Sequence, residues 1–322
     1  MWAALMRHFV FGFSATLAGL GAALAQEEGV PPLFPGSTIP LYETERITDN
    51  LYSFRHTFYR SIFIVTDDGI IATDPLAVEA GPILRQEIGK ITDKPVKYVA
   101  YSHSHWDHAA GGQVFKDEGA TFVAQEKCLE NLKTTNPSPD VVMPDVTFSD
   151  SHVIELGGRS LELFYYGPSH DNCLSVMVVQ PENILFIVDL TNPPSGWYMF
   201  YNPTQADNYL YNTVPYFKAV EAMIERKGIE QAIGGHIQIV VENGSMKIAP
   251  TVGPASIVEE RRMFYEESIN AVRAEYDAGT PPESIPAKLV DERVLADKII
   301  GYNPEAMKTL FARFVVYVET GE

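Results

Sequence analysis

Three of the chain's eight histidines fall within six consecutive positions, in the run Ser-His-Ser-His-Trp-Asp-His at residues 102–108. Neighbouring imidazoles repel one another when protonated and need hydrogen-bond partners when buried neutral. A divalent cation removes both penalties, because imidazole nitrogen and carboxylate oxygen are donors that suit zinc, iron or manganese. The run therefore constrains the fold: His103, His105, Asp107 and His108 have to sit where other parts of the chain can deliver further ligands. Residues 96–102, directly before it, read as a short apolar strand, so the run occupies a loop at a strand end.

The pattern around that loop alternates strands with helices. From Ile47 the chain reads as strands at residues 50–56 and 61–75, the latter two apolar runs split by Asp67-Asp68-Gly69, a hairpin signal. A helix follows at 78–90, then the strand before the histidine run, a helix start near 109–119 and a strand at 121–125. Further strands are expected at 152–156, 159–167, 172–180 and 183–190, an order that implies an α/β sandwich. Residues 26–45, rich in Pro and Gly, read as an extended arm, and 251–322 as amphipathic helices broken at Gly279-Thr280-Pro281-Pro282.

Further ligand candidates sit at strand ends. His170 lies in a Gly-Pro turn leaving a strand. Asp189 ends the apolar run Ile-Leu-Phe-Ile-Val-Asp, where an acid is costly unless something offsets its desolvation, and His236 follows two glycines that allow close backbone approach. With the run at 103–108 they make a set of seven, all on loops after strands, where α/β folds place their sites.

The order His-x-His-x-Asp-His, then His after Gly-Pro-Ser, Asp after an apolar strand and His after Gly-Gly resembles the metallo-β-lactamase superfamily over roughly residues 46–240. The resemblance implies a four-layer αββα sandwich, here domain 46–250, with two divalent metal ions, zinc expected, in a groove at one edge. It implies that His103, His105 and His170 hold the first ion and Asp107, His108 and His236 the second. Asp189 would bridge both, as in the branch with glyoxalase II, lactonases and alkylsulfatases, where true β-lactamases carry cysteine or serine. The implied chemistry is attack by a metal-bridging hydroxide on an ester, lactone, amide or sulfate ester, with Asp107 catalytic in orienting or receiving its proton. The alternatives are a β-lactamase and a mononuclear-iron oxidoreductase of the persulfide dioxygenase kind.

Substrate contacts are expected from His56 and Tyr59, in the stretch that often forms a flap in this family, and from Trp197 and Tyr198 in an aromatic stretch after Asp189. The competing expectation for that stretch is that its aromatics pack a helix from Ala206 onward onto the sheet. No lysine follows Asp189 before Lys218 and no arginine before Arg226, so the segment is a poor anchor for an anion.

Residues 1–25 combine Arg7, an apolar run and Ala-Leu-Ala before Gln26, the pattern of a signal peptide, with an uncleaved amphiphilic anchor as the alternative. Cleavage there would leave 23 basic against 42 acidic residues, so nucleic acid is excluded as a partner. A periplasmic or secreted protein acting on a small molecule is expected, with no membrane span after cleavage and a possible homodimer through the C-terminal helices. Cys128 and Cys173 are the only cysteines, and with Cys128 in a helical stretch two buried free thiols are expected, a disulfide being the alternative.

Overall fold

The computed structural model describes residues 29–199, 209–242 and 245–322. The segment read as a signal peptide, like Phe200 and Tyr201 of the aromatic stretch, lies outside the described residues. Along the chain the strands are β1 (Tyr42–Arg46), β2 (Leu51–His56), β3 (Tyr59–Val65), β4 (Ile70–Thr73), β5 (Val96–Ala100), β6 (Thr121–Gln125) and β7 (Val146–Phe148), then β8 (Ser151–Leu156), β9 (Arg159–Tyr165), β10 (Ser175–Gln180) and β11 (Ile184–Ile187). They continue with β12 (Trp197–Tyr198), β13 (Gln231–Gly234), β14 (Ile239–Glu242), β15 (Ser245–Ile248), β16 (Val252–Pro254) and β17 (Ile299–Ile300). The helices are α1 (Ala80–Ile91), α2 (Trp106–Ala109), α3 (Gln113–Asp117), α4 (Glu126–Lys133), α5 (Leu210–Lys227), α6 (Ile257–Asp277), α7 (Ile285–Asp291) and α8 (Pro304–Thr320).

Strands β1 to β7 form one sheet in sequence order, and the second runs β16-β13-β11-β10-β9-β8. Period-two alternation decides the layering. On β3, Ile62 and Ile64 face Met177, Val179 and Phe186 of the second sheet, whereas Phe63 turns to the other side and packs with Leu84, Ile88 and Phe115. On β10, Val176 and Val178 point outward to Phe217 and Phe264, in a cluster that also takes Phe311 and Phe314 of α8. Both sheets are thus buried on two faces, and the layers run helix, sheet, sheet, helix, the expected αββα sandwich.

Two features position the site. The first sheet is antiparallel through β4 and parallel from β4 to β7, and in the second sheet β11 and β13 are parallel, joined through α5. The C-terminal ends of β4, β5, β11 and β13 carry Asp74, the histidine run, Asp189 and His236. An edge strand absent from the sequence reading, β1, pairs antiparallel with β2 in the register Tyr42↔His56. Its sequence, Tyr-Glu-Thr-Glu-Arg, buries only Thr44 and so carries no apolar alternation. Among the described residues no helix is long and apolar enough to cross a membrane.

The expectation of free thiols is corrected: Cys128 and Cys173 form a disulfide, with Cα atoms 5.2 Å apart. A helical cysteine can pair when the helix ends against the partner's loop, and α4 packs there, where Asn131 bonds Asp171 and Asn172. The link closes a loop over a sequence separation of 45. Replacing both cysteines by serine is expected to lower stability by about 2–4 kcal/mol by removing that constraint from the unfolded chain. Thermal or denaturant unfolding reads the change, and an unaltered transition would show the bridge to be energetically idle.

Candidate metal centre

Asp189 adopts left-handed backbone geometry, φ +61°, at the end of the buried β11 run. For a non-glycine residue this costs on the order of 1–3 kcal/mol and persists only where the surroundings over-determine it. Those surroundings are imidazoles. Asp189 Oδ2 lies 3.1 Å from His103 Nε2 and 3.3 Å from His170 Nε2, while Oδ1 faces His108 Nε2 at 3.3 Å and His236 Nε2. The donor atoms fall into two groups, each within 4.8 Å: His103, His105, His170 and Asp189, and His108, His236 and Asp189. Asp189 belongs to both, with a different oxygen toward each.

Six of the seven candidate ligands therefore converge. The seventh, Asp107, joins neither group but stands at the N-terminus of α2, half-buried, and its charge acts on the Tyr59 hydroxyl and on His108. Tyr59 itself packs edge-on against His236, centroids 4.8 Å apart, and against His108 at 5.5 Å. His56 is buried at the end of β2, with Glu79 and Arg55 as its charged neighbours, and joins neither group. Trp197 packs edge-on on Phe264 with Lys298 over its ring, so helix packing accounts for its side chain, while the Tyr198 backbone carbonyl accepts from Arg261. Tyr216 and Phe217 are likewise core residues of α5.

The electrostatics follow from burial and from that carboxylate. Burial opposes ionisation of Asp189, but the imidazoles of His108, His236 and His170 and the bond from His103 hold it well below the usual carboxylate range. Burial pushes His103 down to about 4 against the pull of Asp189. His108 goes the other way, to about 9: its desolvation is outweighed by Asp189, Asp74 and Asp107. Asp74, fully buried, is raised to about 6 by desolvation, with His108 opposing.

Residues that sequence reasoning missed hold these ligands. Ser102 Oγ is 2.9 Å from His103 Nδ1, and Asp74 accepts the Ser102 amide at 2.7 Å while its other oxygen stands 4.0 Å from His108 Nδ1. Asp171 accepts from the Ser104 amide and hydroxyl at 3.1 and 2.7 Å, tying the His170 loop to the histidine run. Asn192 Oδ1 accepts the His236 amide at 2.9 Å, and Gly235 is required there because a Cβ would lie 2.6 Å from Val188. Asp74 was discoverable, since Ile-Ile-Ala-Thr-Asp repeats the apolar-run-then-acid pattern of Asp189. Asp171 and Asn192 carry no such signal.

These donors fit divalent cations. His103 Nε2 is buried, aimed at Asp189 and without a well-aligned hydrogen bond, while its Nδ1 is engaged by Ser102. That is how a ligating imidazole is oriented by an outer partner. An acid and imidazole nitrogens on opposing loops would serve as two ligand sets sharing one carboxylate.

Comparison with known proteins agrees with this chemistry. Residues 57–212 match the family model described as metallo-beta-lactamase superfamily. The alpha subunit of 2,4-dinitroanisole O-demethylase from Nocardioides sp. (strain JS1661) is 26% identical over 182 residues, 55% of this chain and 51% of that protein. Metallo-beta-lactamase type 2 of Elizabethkingia meningoseptica is 27% identical over 144 residues, 42% of this chain and 56% of that protein. The chain thus spans about half the length of the curated relatives it matches. Among solved structures, a metallo-beta-lactamase from Pontibacter korlensis superposes with a TM-score of 0.56 at 19% identity, covering 70% of this chain and 99% of the other. The sandwich and the strand-end ligands agree with the family match, so residues 57–212 form a domain of the metallo-beta-lactamase superfamily.

Proposed function

We propose that the protein is an exported dinuclear hydrolase, with zinc as its cation, that cleaves an ester, lactone, amide or sulfate ester, with neutral and largely apolar esters and lactones favoured. The observation that carries the proposal is the division of Asp189, one oxygen toward His103, His105 and His170 and the other toward His108 and His236. When bound, the two cations would acidify water to give hydroxide near neutral pH and polarise the oxygen on which negative charge develops. His103, His105 and His170 would hold one, His108, His236 and Asp107 the other, and Asp189 both. Asp107, at the rim beside Tyr59, is the carboxylate placed to orient the attacking water and receive its proton. Burial, Asp107 and Asp189 raise Tyr59, which stays a phenol and a hydrogen-bond donor at neutral pH. The Cys128–Cys173 disulfide supports an oxidising compartment.

The preference for a neutral substrate rests on what surrounds Asp189. The Thr191 hydroxyl is buried and donates to the Ile257 carbonyl, the Asn192 oxygen is taken by the His236 amide, and Pro193 and Pro194 follow. Lys218 pairs with Glu266 at 2.8 Å. None of these offers an anchor for a substrate carboxylate. The relative named for O-demethylation of 2,4-dinitroanisole, a neutral aromatic ether, supports the same preference, whereas the relative named a metallo-beta-lactamase supports the second reading, a β-lactamase.

Metal analysis of the purified protein is expected to give two zinc per chain; one iron would favour the oxidoreductase alternative. A chelator should abolish turnover and zinc restore it. Asp189→Asn, which removes the one charged ligand common to both sets, should lower kcat/KM on the order of 10³-fold, the several kcal/mol that such cations supply, with the fold retained. Activity within about tenfold of wild type would sink the dinuclear mechanism. A panel of aryl esters, acyl lactones, alkyl sulfates, 2,4-dinitroanisole and β-lactams tests the substrate class. Neutral apolar substrates should exceed β-lactams by about tenfold or more in kcat/KM, the ~1.4 kcal/mol that modest apolar burial supplies; a β-lactam ranking first would overturn the preference and leave the metal assignment intact.

A further inference from the structure

Arg60, on β3 of the first sheet, is buried, and its guanidinium crosses to the second sheet. One nitrogen, Nη1, donates to the carbonyls of Gly234 at 3.1 Å and His236 at 3.0 Å, while the Arg60 amide donates to the carbonyl between them, Gly235, at 2.7 Å. Three consecutive carbonyls of the His236 loop therefore bond one residue. Tyr59 forms a β-bridge with His236, and the Phe58 carbonyl accepts the Ile237 amide at 3.0 Å, so the whole end of the hairpin is docked on that loop.

Burying an ionised guanidinium is costly unless it is hydrogen-bonded and balanced. The balance here comes from Glu43 and Glu45, which line a small cavity beside Arg60. Sheet closure alone does not call for this arrangement, because β13 is already paired on both edges, by β11 and β16. What needs the clamp is the ligand geometry. His108 comes from the first sheet and His236 from the second, so their separation depends on how the two sheets are held at that point. The first ligand group has its own clamp, Asp171 to Ser104. Arg60 is the corresponding link for the second.

We infer that Arg60 is the positioning residue of His236, fixing it across the sheet interface so that the second cation site forms. The inference rests on the two-cation reading above. It is tested with zinc-reconstituted full-length protein by metal stoichiometry and by calorimetric zinc titration of the chelated protein. Arg60→Met is expected to keep the first zinc at wild-type affinity and weaken the second by about 10- to 100-fold, as loss of an outer-shell partner does. Arg60→Lys, whose side chain is one bond shorter and whose ammonium falls short of the Nη1 position, should lose roughly tenfold and provides the measurement if Arg60→Met does not fold. Arg55→Met is the control: that buried arginine bonds the Pro40, Leu41 and Thr57 carbonyls instead, and its loss should leave both zinc affinities unchanged. Two zinc at unchanged affinity in the Arg60 variants, or equal weakening of both sites, overturns the assignment of Arg60 alone. A wild-type protein that takes up a single cation overturns the two-cation reading and this inference with it.

Discussion

A buried carboxylate shared by four imidazoles is the interaction on which the rest of this structure depends. Asp189 comes from the second sheet, and it faces His103 and His108 from the first. Neither half can supply the cluster alone, so the two sheets have to meet at their strand ends with side chains in register. The left-handed backbone at Asp189 is the local expression of that demand: the strand must stop and turn its acid inward at one residue. Even without a cation, desolvation of the acid is offset by the imidazoles around it, as its lowered proton affinity records.

Around this core the protein holds each ligand loop twice, once by its own strand and once across the interface. The His170 loop is bonded by Ser104 and Asn131 and tied covalently to α4 through Cys173. The His236 loop is held by Asn192 from its own sheet and by Arg60 from the opposite one. Such outer partners carry a share of the metal affinity in proteins of this chemistry, because they set which nitrogen of each ring is presented. Ser102 does this for His103 directly.

The legible part of this arrangement was the part written in one segment at a time. The histidine run, the acid closing Ile-Leu-Phe-Ile-Val and the apolar strands alternating with helices each span fewer than ten residues; together they carried the α/β sandwich and six converging ligands, and the family resemblance they support carried the layer order. What stayed hidden was relational. Cys128 reads as a helical core residue until α4 is seen against the loop after His170, and the disulfide spans 45 residues of sequence. Arg60 carries no local signal, since its partners lie 174 and 176 positions away. Strand β1 was missed for the opposite reason: as an edge strand with one buried side chain it needs no apolar pattern. Trp197 looked like a site residue because aromatic content does not say which layer a side chain faces, and Phe264 decided it.

The two ligand groups differ in how they are enclosed, and the difference sets the direction of approach. The first is the more enclosed: His103 is fully buried, the His170 side chain is 6% exposed, and a disulfide closes the loop behind it, with only His105 half-buried among its imidazoles. The second opens outward, with the His236 side chain 27% exposed under the Tyr59 ring and Asp107 half-buried at its edge. A small molecule reaching Asp189 therefore meets His236, Tyr59 and Asp107 before it meets His103. Among the described residues, polar groups at this edge include a phenol, a carboxylate and the His105 and His236 imidazoles, and the nearby buried arginine spends its donors on backbone carbonyls. Under the proposed function, the Asp107 carboxylate at this edge would disfavour an anionic group, so the loop geometry that assembles the ligands would also shape what they can be offered.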